Sequence, residues 1–169
     1  MPTNLPNAAH PPITLLQIRS VIVVLALASL IVGVMALVII PETLEEPPVL
    51  HSFAALVPLG TGIVGYVLAS SSLKRAVKPV PDARQAALRR LASAGVLGAA
   101  VAESGTMILL AWAFVVNLSP MVVLTGGAIG ALMTVLAGWP RDCRLNELEA
   151  RYQRASQSGP GSSGQQFPW

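Results

Sequence analysis

Charge is what this sequence has least of. Only 11% of its 169 residues are Asp, Glu, Lys or Arg, against about a quarter in a typical soluble domain. So little charge cannot coat a water-soluble surface of this size. Cysteine is nearly absent too: the single Cys143 excludes an intramolecular disulfide and a cysteine metal cluster. The two histidines, His10 and His51, lie in or beside loops with no second ligand at a useful spacing, so no metal site is expected. The chain also lacks a Ser/His/Asp set, a Walker loop, a dinucleotide fingerprint and a paired-histidine helix. Gly60-Thr61-Gly62 sits within an apolar run, where it serves helix packing and not phosphate binding. No enzyme activity and no cofactor are expected.

What is present is apolar sequence in blocks. Hydrophobic residues make up 53% of the chain. They gather into four runs, at 20–40, 52–73, 91–116 and 120–139, each about as long as a helix needs to cross ~30 Å of hydrocarbon. The fold class read from this is all-α: a polytopic membrane protein of four transmembrane helices, arranged as two antiparallel hairpins. The domain organisation follows. Residues 1–19 form a flexible, Pro-rich tail, and 20–139 form the transmembrane domain. Residues 140–157 form a short amphipathic cytoplasmic helix, expected to lie on the membrane surface, with Leu145, Leu148 and Tyr152 at helical spacing and Glu147 and Arg151 four apart. The Gly/Ser-rich stretch 158–169 reads as disordered.

Local signals refine the boundaries. Pro41, Pro47 and Pro48 punctuate the connection after the first run, and Pro58 falls inside the second. Asp82 precedes a run of good helix formers and is a candidate N-cap, so the third helix should begin in water. Asn117-Leu118-Ser119-Pro120 is a tight turn. Arg19, at the edge of the first run, is placed to snorkel to headgroups. Ala26-Leu27-Ala28 has the form of a signal-peptidase site, but cleavage there would leave an apolar new terminus, and the first run is expected to stay.

The net charge of +3 does not signal nucleic acid, because of its placement. Six of the eleven basic residues lie between Lys74 and Arg90. The connection after the first run holds Glu42, Glu45 and Glu46 and no Lys or Arg, and Arg141 and Arg144 follow the last run. Positive charge marks the cytoplasmic side. The expected placement is therefore the cell membrane, specifically a bacterial inner membrane, multi-pass, with both termini cytoplasmic. The basic loop is also suited to anionic lipid headgroups. The expected partners are the bilayer and either another membrane protein or further copies of the chain.

One ionisable residue stands out. Glu103 is twelve residues after Leu91 and thirteen before Val116, near the bilayer midplane. A carboxylate there costs from about 2.5 kcal/mol upward on insertion scales, so function is its default reading. Hydrocarbon favours the neutral acid unless it is paired or hydrated. A neutral Glu can also staple helices through hydrogen bonds worth about 0.6–2 kcal/mol. Ser29, Thr61, Tyr66 and Thr106 lie at broadly similar depth and are candidate partners, as are Ser104 and Thr125. Small residues surround the acid. Gly95, Gly98 and Ala102 on the third run, and Gly126 and Gly130 (followed by Thr134) on the fourth, form small-xxx-small patterns of close helix contact.

Ala100-Val101-Ala102-Glu103 and Trp139-Pro140-Arg141 resemble elements of the uncharacterised small bacterial four-helix membrane proteins, over about a third of the chain. The Glu103 element also looks distantly like the proton-binding helix of ATP synthase rotor subunit c. That resemblance implies a proton or sodium site at Glu103. Two features depart from the rotor pattern: the first run carries only Gly33 where the rotor has a dense glycine repeat, and the carboxyl lies on the third helix instead of the last. Ring membership is not expected. The leading functional reading is a non-enzymatic accessory or interaction subunit. The alternative is a proton- or cation-linked channel or transporter component using Glu103. Deleting residues 158–169, too poor in apolar groups to offset the entropy of ordering them, is expected to leave the detergent melting temperature unchanged. A fall of many degrees would show that Phe167 or Trp169 docks.

Overall fold

Helix starts are set by side chains that satisfy the free N–H groups of a first turn. In the computed structural model, which describes residues 12–40, 48–116 and 118–157, Thr14 opens α1 (Leu15–Ile39) with a capping box. Its hydroxyl accepts from Gln17 N at 3.3 Å, and Gln17 Oε1 accepts from Thr14 N at 2.9 Å. Asp82 caps α3 (Ala83–Val116), its Oδ1 accepting from Gln85 N at 3.0 Å, so this helix does begin eight residues before its apolar run. Ser119 caps α4 (Pro120–Gly138), with Pro120 in the first turn, where its missing N–H costs nothing. The same tolerance explains why α2 (Pro48–Lys74) starts on Pro48 and not after it. The N-terminal tail, the Glu42–Glu46 stretch and the Gly/Ser tail lie largely or wholly outside the described residues.

Among the described residues every regular element is a helix, and four are long and apolar enough to cross a membrane. Their packing is inverted relative to a soluble bundle. The interior is rich in Ala, Gly, Ser and Thr around a few large side chains such as Ile22, Leu109 and Val123, while Leu27, Ile31, Val34, Ile63, Val67, Ile108 and Leu132 are exposed. An apolar exterior over a small-residue core is what lipid as solvent permits: large side chains gain nothing by leaving hydrocarbon, and close backbone approach supplies the packing.

The glycines set those approaches. A Cβ on Gly98 would lie 2.9 Å from Ala69 Cβ and 3.0 Å from Gly65 O on α2, and 3.1 Å from Ala137 O on α4. One on Gly95 would meet Gly138 O at 2.7 Å, and one on Gly127 would meet Ser29 O at 2.8 Å. Gly126 and Gly130 admit Leu109 and Thr106 of α3, and Ala102 is fully buried. All five of the small residues singled out in the sequence therefore sit at helix crossings.

The order of neighbours differs in part from two side-by-side hairpins. α3 and α4 pack antiparallel, and α2 packs on both. α1 lies against α4 and α3, with its Gly33 on Leu124 and Gly127 of α4. α1 and α2 are not principal neighbours, because the α3–α4 pair stands between them. The small-residue faces choose these partners, and an eight-residue connection is long enough to let them.

α5 (Asp142–Gln157) also departs from expectation. Its apolar face does not lie on the membrane. Leu145, Leu148 and Tyr152 are buried against Ile18 of α1 and Ala87, Leu88 and Leu91 of α3. Burying each such side chain is worth on the order of 2 kcal/mol. Arg151 does not pair with Glu147. It donates instead to Leu73 O at 3.2 Å and Lys74 O at 3.3 Å, the open carbonyls that end α2. Arg90 joins it there, donating to Ser72 O at 2.9 Å and to Arg75 O and Ala76 O. Arg19 turns toward α5 as well: it pairs with Asp142 at 3.2 Å and lies 5.6 Å from the Trp139 ring centroid.

Candidate functional site

The crossing residues bring several hydroxyls to one depth around the middle of α3. Thr61 of α2 meets Ala102 of α3, its hydroxyl 3.3 Å from Ala102 O and 3.1 Å from Val57 O and Pro58 O of its own helix. A hydroxyl has one proton to donate, so Thr61 is satisfied with acceptors to spare. Thr106, one turn beyond Ala102, points its hydroxyl at Gly130 of α4. Ser29 of α1 stands opposite Gly127 of α4. Thr134 lies one turn after Gly130.

Three of these, Ser29, Thr106 and Thr134, are fully buried, and their hydroxyls have no hydrogen-bond partner among the described residues. Buried polar groups are almost always satisfied, so three orphans within two turns of α4 make an uncommon interior. Each costs about 1–3 kcal/mol if nothing reaches it. In sequence, Thr134 is only the end of a packing pattern. Its signal is its place four residues after Gly130, on the same inward face of α4.

Glu103 belongs to this depth but not to this interior. Ala99, Ala102 and Thr106 beside it are buried, whereas Ala100, Ser104 and Met107 are exposed. Glu103 is half-buried on the border between the two faces. Among the described residues its carboxyl meets no hydrogen-bond donor and no cation. Thr61 is committed to carbonyls, Ser104 donates to Val101 O at 2.7 Å, and Thr125 donates to Met121 O at 2.8 Å. Tyr66 is engaged elsewhere: its hydroxyl takes a hydrogen bond from Arg144 of α5 at 3.2 Å.

No protein-family model, no curated protein and no solved structure matches this chain. The chemistry therefore has to be argued from these side chains. Among the described residues no three His, Cys, Asp or Glu side chains gather closely enough to hold a metal ion. The site is one lone acid on an outward-facing border, backed by unsatisfied hydroxyls.

Proposed function

We propose that the chain is a non-enzymatic integral membrane protein, an accessory or interaction subunit that offers Glu103 to the transmembrane helix of a partner. The observation that carries this reading is the position of the carboxyl. It lies at mid-span on the border of the lipid-facing surface, without a partner among the described residues, next to the exposed small residues Ala100 and Ser104. A carboxyl in hydrocarbon is costly unless something hydrogen-bonds it, and small neighbours allow a second helix close enough to do so. Purification in mild detergent followed by mass spectrometry tests the proposal. A stoichiometric membrane partner, lost from Glu103→Leu, supports it.

The second reading, a proton- or cation-linked component, draws on the orphan hydroxyls of Ser29, Thr106 and Thr134, which could line a polar interior beside the acid. A homo-oligomer that conducts protons in liposomes, with no other protein bound, would favour it.

The proposed setting is the cell membrane of a bacterium, with both termini and the Lys74–Arg90 loop in the cytoplasm. In a Cys143→Ala background, a cysteine at position 46 should react with an impermeant thiol reagent on intact cells, and one at position 84 should not. Cys143 is exposed and has to be removed first. Labelling at 84 overturns the orientation.

A further inference from the structure

A cavity of about 140 Å³ opens where the end of α2 meets α5, lined by Ser70, Leu73, Lys74, Arg144, Glu147, Leu148 and Arg151. We infer that this cavity binds the phosphodiester headgroup of an anionic glycerophospholipid. The inference rests on the membrane-spanning reading of α2 and α4, which sets the cavity at headgroup level on the cytoplasmic side.

Three cations line the cavity against one carboxylate. Arg144 is held in place from below: it donates to the Tyr66 hydroxyl at 3.2 Å, and its guanidinium carbon is 5.7 Å from the Tyr66 ring centroid. A guanidinium has five N–H donors, so most of the fork is left for a phosphate oxygen pair, the geometry it matches best. Arg151 is fixed by the carbonyls of Leu73 and Lys74 and contributes charge. The Lys74 ammonium makes no ion pair among the described residues, which leaves its charge for the ligand. Glu147 opposes a second negative charge. That favours a monoanionic phosphodiester over free phosphate, which is partly dianionic at neutral pH. Below Ser70, the exposed Val67 and Ile63 continue the same face of α2 at helical spacing, an apolar track for the acyl chain. Basic pockets at a helix end on the cytoplasmic face are a general means of holding lipid headgroups.

The test uses the full chain, delipidated in neutral detergent and titrated with phosphatidylglycerol, phosphatidylcholine or sodium phosphate while the melting temperature is followed. Phosphatidylglycerol should raise it saturably, and the other two should not. Lys74→Gln should raise the half-saturating lipid concentration about fivefold, and Lys74→Gln with Arg144→Gln further, at about 1 kcal/mol per cation. Lys78→Gln with Arg84→Gln, from the same basic loop but outside the cavity, should leave it unchanged. Arg144→Gln also removes the contact to Tyr66, so if the double variant does not fold, Lys74→Gln alone decides. Equal loss in the loop variant would reduce the effect to diffuse charge and overturn the site. An equal response to phosphatidylcholine would remove its charge selectivity and overturn it too. An equal response to sodium phosphate would make it a free-anion site. Carbonate extraction of native membranes is a separate readout. Release of the protein there would sink the membrane reading, whatever the titration gives.

Discussion

Glu103→Leu is expected to separate assembly from folding. The carboxyl has no partner among the described residues, so replacing it by Leu at a half-exposed position should leave the detergent melting temperature unchanged or slightly raised. Binding to the membrane partner should fall about 3- to 30-fold, the equivalent of one membrane hydrogen bond of about 0.6–2 kcal/mol. Glu103→Gln keeps the shape and a hydrogen-bonding end, and should retain binding within about twofold. The proton- or cation-linked reading predicts a different pattern: Gln and Leu fail alike, because neither exchanges charge, and hydrophobic carbodiimides label Glu103 faster at low pH. A large fall in melting temperature for Glu103→Leu would make the carboxyl an internal staple and remove the basis for a partner.

Gly98→Leu should be strongly destabilising. Its first added carbon already meets atoms of two helices at 2.9–3.1 Å, two of them backbone oxygens that cannot move aside without shifting a helix. Overpacking of this kind costs about 1–3 kcal/mol, and more when backbone is in the way. Gly60 is the matched control, since a Cβ there meets nothing within 4 Å. Gly60→Ala should be neutral or stabilising by up to about 1 kcal/mol from helix propensity. Denaturant titration in detergent micelles compares them. If Gly98→Leu unfolds no earlier than Gly60→Ala, then α2, α3 and α4 do not meet at Gly98.

Sequence and structure agree where the cause is local. Asp82 ahead of helix formers, Ser119-Pro120 at a turn and the small-residue spacings of α3 and α4 each carry their own physical reason. The pairing of helices is different: a connection of eight residues permits α1 to sit beside α2 or away from it, and only the fit of Gly33 onto α4 and Gly65 onto α3 decides. The amphipathic pattern of 145–152 likewise has two physical solutions, a lipid surface or a protein groove, and Ala87, Leu88 and Leu91 supply the groove. For Glu103 the depth is legible by counting residues, but the direction is not. Whether position 103 points inward depends on how α3 is rotated among its neighbours, and a difference of one position on the wheel, as between Ala102 and Glu103, moves a side chain from core to border. The contact of Arg144 with Tyr66 spans 78 residues, and no local pattern announces it.

The capping of α2 by Arg90 and Arg151 also bears on how the molecule is made. The carbonyls that end α2 are complete only when a side chain 77 residues further along the chain has been synthesised and docked. Until α5 leaves the ribosome, the nascent protein has all four apolar helices but an unfinished seam at one end. α5 therefore works as a latch, and a chain cut short before it would have the four apolar helices without the side chain that closes the end of α2.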